Sequence, residues 1–178
     1  MTLVVDLGCS DREGRWPSLT VLADRFKPDF IYGFDPSPSL NYRQRRINGI
    51  PCELRRTAAW TYDGLIRFDD SHVHSRNGTI GVGPPIDDRT CNPGRIGMIG
   101  EGTKYVTCFD FSAWLANHGA AIVKMDIEGS EYGILEKLVH DGTHKLLERL
   151  LVEWHFHEPT EILEALEQAG CEVETWLY

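Results

Sequence analysis

The segment VVDLGCSDREG, residues 4–14, constrains the chain more than any other. Leu3, Val4, Val5 and Leu7 make an apolar run of the length of a strand buried on both faces, and an acid, glycines and short polar residues follow at once. Such a turn either joins strand to helix or cradles a ligand. For the second role, Gly8 lets the main chain approach a bound molecule and Asp6 sets a carboxylate at the strand end. A helix entered at Pro17 would aim its amide-rich N-terminus at the same place.

A second apolar strand, Phe30 to Phe34, ends in Asp35-Pro36-Ser37-Pro38. In nucleotide-binding α/β folds an acid at this point accepts hydrogen bonds from a ribose diol, two hydroxyls matching two carboxylate oxygens. Residues 6–14 and Asp35 are therefore expected to form one site.

The 178 residues suffice for one domain with a sizeable core, and 42% hydrophobic with 25% charged residues is the balance of a globular chain. No apolar run approaches the ~20 residues of a spanning helix, and the first residues lack a basic flank. A cytoplasmic protein without membrane contact is expected. A net charge of -9 opposes tracking along a phosphate backbone, so no nucleic-acid partner is expected. Arg43, Arg45, Arg46, Arg55 and Arg56 read as a solvated surface. The five cysteines are odd in number and include no CxxC pair, which points to reduced thiols.

Along the chain, Leu19, Leu22 and Phe26 predict a helix over residues 18–26, followed by the second strand, a short helix over 40–47 and a third strand over 52–60. Residues 61–104 are rich in glycine and proline. They read as an irregular substrate-side loop or a flexible insertion, with a hairpin of 65–68 and 79–82 inside it. A strand at 105–108 leads to Asp110 as N-cap, a helix through Trp114 and Leu115, and Gly119 as its stop. The fourth main strand, 121–127, is interrupted by Lys124 and ends at Asp126. A helix from Ser130 to Asp141-Gly142, a fifth strand at 150–154, a helix over 160–169 and a closing strand over 171–178 complete the order. Alternation of this kind predicts one α/β domain, 1–178, with a parallel sheet, helices on both faces and ligands at the strand carboxyl ends.

Those ends carry Asp6 to Ser10, Asp35, Asp126 with Glu128, and Glu153 with His155 and His157. On one strand the last three would share a facing and line one wall of a cleft. Each is also a residue that a core or a surface can satisfy structurally.

In order, these blocks resemble the FkbM family of class I S-adenosylmethionine-dependent methyltransferases. VVDLGCSDREG is similar to the first cofactor motif, YGFDPSP to the second, and RRTAAWTYDGLIRF to the segment after the third strand. KMDIEGSEYGILEKL is similar to the family's acid-x-Glu-Gly-x-Glu block and LLVEWHFH to its strand with Glu and His. The resemblance implies a Rossmann-like sheet and S-adenosylmethionine bound through Asp6, Gly8, Cys9 and Ser10 at its methionine end, Asp35 and Pro36 at its ribose, and Ala59 or Trp60 beside its adenine. Two departures accompany it. Arg12 stands where the family's second glycine usually lies, and both ends are trimmed relative to the class I fold, which implies reduced substrate cover.

The resemblance points to O-methylation of a hydroxyl on a small molecule or saccharide, with Asp126, His155 and Glu153 as catalytic groups. Asp126 and His155 suit proton removal, and His155 has the ordinary pKa (~6.5) nearest neutrality. A metal-free mechanism is expected, with a magnesium or zinc site of Asp126, Glu153 and His155 as its alternative. A non-catalytic cofactor-binding or interaction module is a competing reading. A nicotinamide-dependent dehydrogenase is another, but lacks its GxGxxG spacing. An open edge at the closing strand, with Val173, Trp176 and Leu177, is expected to pair with a second copy.

Overall fold

In the computed structural model, residues 1–9, 17–37, 42–69 and 103–177 are described. Strand β1 (Leu3–Leu7) is flanked on both sides by parallel partners, β2 (Phe30–Phe34) and β8 (Ala121–Met125), and is wholly buried. Its unbroken apolar character follows from that position, since both faces are covered. Outward from this centre come β4 (Ile50–Arg55) and β3 (Arg46–Ile47) on one side, β9 (Leu147–Val152) and β10 (Glu172–Thr175) on the other. The seven-stranded order is β10-β9-β8-β1-β2-β4-β3, parallel except for β3. The α/β sheet expected from the alternation is present, and it is Rossmann-like, as the resemblance implies.

Helix α1 (Pro17–Phe26) covers one face, packing Leu19, Leu22 and Ala23 on Val4, Ile31 and Ile122. Helices α2 (Phe111–His118), α3 (Glu131–Asp141) and α4 (Thr160–Gln168) supply the opposite layer, with Phe111, Leu115, Ile134, Leu138 and Leu166 against Leu3, Val5, Leu7 and Val123. Asp110 caps α2 by accepting the Ala113 N–H at 3.1 Å, and Gly119 and Gly142 end α2 and α3 with positive φ, as their sequence positions predict. Among the described residues no helix is long and apolar enough to cross a membrane.

Four expectations are corrected. Of the helix expected over 40–47, Arg46 and Ile47 instead form β3, which returns as β4 through Asn48 (φ 48°) and Gly49 (φ 82°), the left-handed pair that closes a two-residue hairpin. The strand expected over 52–60 is divided: β4 ends at Arg55, and β5 (Ala58–Trp60) joins a second sheet, ordered β5-β7-β6. Within 61–104, β6 (Gly64–Asp69) pairs antiparallel with β7 (Thr103–Asp110), so the hairpin partner of 65–68 is β7; residues 79–82 lie outside the described residues. At the edge, β10 has a half-buried Val173 and is followed by an exposed Leu177, but Trp176 is buried with its N–H on the Val152 carbonyl, so the apolar edge is narrower than expected.

Candidate active site

The carboxyl ends of β1, β2 and β8 are laced together by the main chain. Gly8 donates its N–H to the Phe34 carbonyl (2.9 Å) and Asp126 donates to Leu7 (3.2 Å), which brings the turns after β1 and β8 into contact. Gly8 has φ 83°, and a Cβ there would lie 1.8 Å from the Asp126 carbonyl oxygen, so only glycine fits.

Alternation along β1 sends Asp6 to the α1 face, where it is fully buried. Ser18 Oγ donates to its Oδ2 at 2.6 Å, and Lys124, its register neighbour on β8, sets Nζ 3.1 Å from its Oδ1. The same ammonium donates to the Gly8 carbonyl at 3.1 Å and lies 3.5 Å from Asp126 Oδ2. Burial disfavours this charge, but Asp6 and Asp126 more than offset it and raise the Lys124 pKa above its ordinary value. Lys124 is thus a fixed cation under the site.

Asp35 sits just past β2, buried, its N–H on the Arg55 carbonyl (3.2 Å) and its Oδ1 accepting the Ser37 N–H (2.7 Å). Burial pushes its carboxyl up to about 6, against the pull of the Ser37 N–H and Lys124. Pro36 follows half-buried. Cys9 is buried against Gly33, its thiol raised well above the ordinary range by burial, so it is an inert filler of the core. Ser10 lies outside the described residues. Ala59 is buried in β5, and the Trp60 ring lies over Gly133 of α3.

Past β8 the chain makes a tight turn with Glu128 at φ 57° and Gly129 at φ 99°. Buried Glu131, at the start of α3, closes it by accepting the N–H groups of Ile127 (2.7 Å) and Gly129 (2.9 Å). His155 folds onto this turn. Its Nε2 lies 3.3 Å from Glu128 Oε2 and 3.9 Å from Asp126 Oδ1, while its buried Nδ1 lies 3.1 Å from Glu131 Oε1 without an aligned hydrogen bond. Glu128 and Glu131 hold the ring as an imidazolium, its pKa pushed up to about 10. Glu153 donates its N–H to the Met125 carbonyl at 2.9 Å, and burial, then Asp126, raise its carboxyl.

Because β9 ends at Val152, the shared facing expected of Glu153, His155 and His157 on a strand does not occur. His157 instead stacks on Tyr132 of α3, whose hydroxyl accepts the N–H groups of Phe156 (2.9 Å) and His157 (3.2 Å). The Phe156 ring packs beside Gly129, where a Cβ would meet it at 3.0 Å, and is 70% exposed.

The sequence pattern of the methyltransferase FkbM domain matches residues 11–173, which spans β2, β8, the Asp126–Glu131 turn and the His155 segment. The chain belongs to the FkbM methyltransferase family. Comparison with curated proteins and with solved structures gave no match. Membership makes the chain a methyltransferase and implies a methyl donor. In this FkbM methyltransferase the structure brings Asp126 and His155 together with Glu128, and leaves Asp35 at a separate strand end beyond β1. Two supporting residues had escaped a functional reading of the sequence. Lys124 was legible as a lysine inside the apolar run AIVKM, and Glu131 as the last acid of Asp-x-Glu-x-x-Glu.

Proposed function

We propose that this methyltransferase uses S-adenosylmethionine to O-methylate a hydroxyl on a small molecule or saccharide. The carrying observation is the contact between the Gly8 turn and Asp126, which joins a glycine-only main-chain approach to an acid at the adjacent strand end. The described residues fit such a donor: Asp35 is an acid at the end of β2 suited to a ribose diol, and the chain leaving β4 toward Ala59 and Trp60 runs beside it through the Asp35–Arg55 hydrogen bond. Gly8, Cys9 and Pro36 would contribute main chain, and Asp6 would hold the turn from below through Ser18 and Lys124. When bound, S-adenosylmethionine supplies a methyl group on a sulfonium, displaced in line so that the acceptor oxygen gains the carbon and sulfur keeps the bonding pair.

The residues of the chain position the acceptor and accept its proton. Asp126 and Glu153 are the acceptors of choice, since an imidazolium between Glu128 and Glu131 has no free lone pair; His155 then orients Asp126 and Glu128. A saccharide suits the surroundings, because carboxylates bind its hydroxyls while the exposed Phe156 ring, beside Tyr132, offers a face to its C–H groups. Calorimetric titration with S-adenosylmethionine and S-adenosylhomocysteine tests the reading: binding of both is expected, and binding of neither removes it.

A further inference from the structure

Among the described residues, the turn between β8 and α3 gathers more carboxylates than cations. The four carboxylates of Asp126, Glu128, Glu131 and Glu153 stand around His155, and the cations set against them are the imidazolium itself and Lys124, at Asp126 Oδ2. Oδ1 of Asp126 is turned the other way, toward Nε2 of His155. One donor atom each from Asp126, Glu128 and His155 lies within 4.8 Å of the other two. Donor atoms no more than 4.8 Å apart can be spanned by one divalent ion, whose bonds to oxygen and nitrogen run about 2.0 to 2.4 Å.

We propose that Asp126, Glu128 and His155 form a divalent-cation site, with Glu131 as the outer partner that orients the imidazole. Two features besides acidity point to a ligand. The histidine offers Nε2 to the same spot as the two carboxylates, which a purely acidic surface cluster does not do. Behind it, Nδ1 is a buried atom without an aligned hydrogen bond, 3.1 Å from a carboxylate pinned by two main-chain N–H groups. A metal on Nε2 displaces the proton that this nitrogen carries in the metal-free imidazolium and leaves the Nδ1 proton directed at Glu131, the carboxylate–histidine–metal arrangement that sets tautomer and ring angle. Two carboxylates and one imidazole suit manganese, magnesium or zinc, and in an octahedral ion leave three positions open. Resting on the proposed function, the open positions take the acceptor hydroxyl and a neighbouring oxygen of the same molecule. The bound hydroxyl would release its proton to Glu153 more readily, because the ion would stabilise the alkoxide.

The test is manganese binding to the cofactor-free full chain at neutral pH, followed by the loss of the free-ion paramagnetic resonance signal. The wild type should bind one ion per chain. Glu128→Gln, at a partly exposed position, should weaken binding by at least about tenfold, and Glu131→Gln by about 10- to 100-fold. Manganese binding by the wild type no tighter than by Glu128→Gln overturns the site. Titration with S-adenosylhomocysteine runs in parallel: manganese lost in Glu128→Gln supports the cation site even if the nucleoside fails to bind, an outcome that removes only the cofactor reading. Nucleoside binding with no manganese bound removes the cation site and leaves the cofactor reading standing.

Discussion

Asp35→Asn should stabilise the cofactor-free protein and weaken its hold on the cofactor. Burial raises the Asp35 carboxyl from 3.8 to about 6, so the folded state retains a proton that the unfolded chain has already lost. The stability linked to this proton is fully present below about pH 4 and is lost as pH rises through about 6. At roughly 1.36 kcal/mol per unit, a displacement of about two units sets an upper limit near 3 kcal/mol at pH 8. Asparagine keeps an Oδ1 acceptor for the Ser37 N–H (2.7 Å) and carries no charge to desolvate. Thermal unfolding of wild type and variant from pH 5 to pH 8 should therefore diverge with rising pH, the variant melting about 3 to 10 °C higher at pH 8. Saturating S-adenosylhomocysteine should narrow or reverse that order, because loss of a charged ribose contact costs about 1.5 to 3 kcal/mol of binding. A variant less stable than wild type at pH 8, or an offset independent of pH, would refute the reasoning.

Lys124→Met leaves Asp6 buried beside one hydroxyl and should cost about 3 to 5 kcal/mol in denaturant unfolding, much of it regained when Asp6→Asn is added; a loss unchanged in the double variant would separate the two residues. Once an acceptor is found, Asp126→Asn and His155→Ala should each lower turnover by about 10²- to 10⁴-fold while nucleoside affinity stays within a few-fold, and full turnover in both would take them off the reacting groups. Self-association through the edge of β10 predicts a light-scattering mass above that of the monomer at roughly tens of micromolar, and a monomer there excludes it.

The centre of the fold was legible because its strands are short continuous apolar runs, and residues 3–7, 30–34 and 121–125 can hardly be placed elsewhere in a chain of this length. The periphery was harder. Asn48-Gly49 is a hairpin signal in plain view, yet its flanking strand of two residues is too short to show a period. The break at Arg56-Thr57 has neither glycine nor proline, so nothing local announces that β5 leaves the main sheet. At the site, Glu153-Trp-His-Phe-His mimics the twofold period of a strand, and only the tertiary placement of Glu131 explains why His155 turns onto α3. Asp126 was legible because it ends an apolar strand, where an α/β fold gathers its ligands. Lys124 needed the register across β1, which sequence alone does not supply.

The pairing of β6 with β7 bears on how much change in length the chain tolerates. Asp69 stands opposite Thr103, so the residues between them begin and end at one point on a stem already zipped by six register pairs. Closing a loop from a stem costs little more as the loop grows, about 0.6 kcal/mol per doubling. Insertion or deletion between Asp69 and Thr103 therefore adds little to the closure cost of that stem. The length of the chain between two residues of that hairpin is thereby free to vary independently of the sheet that carries Asp126.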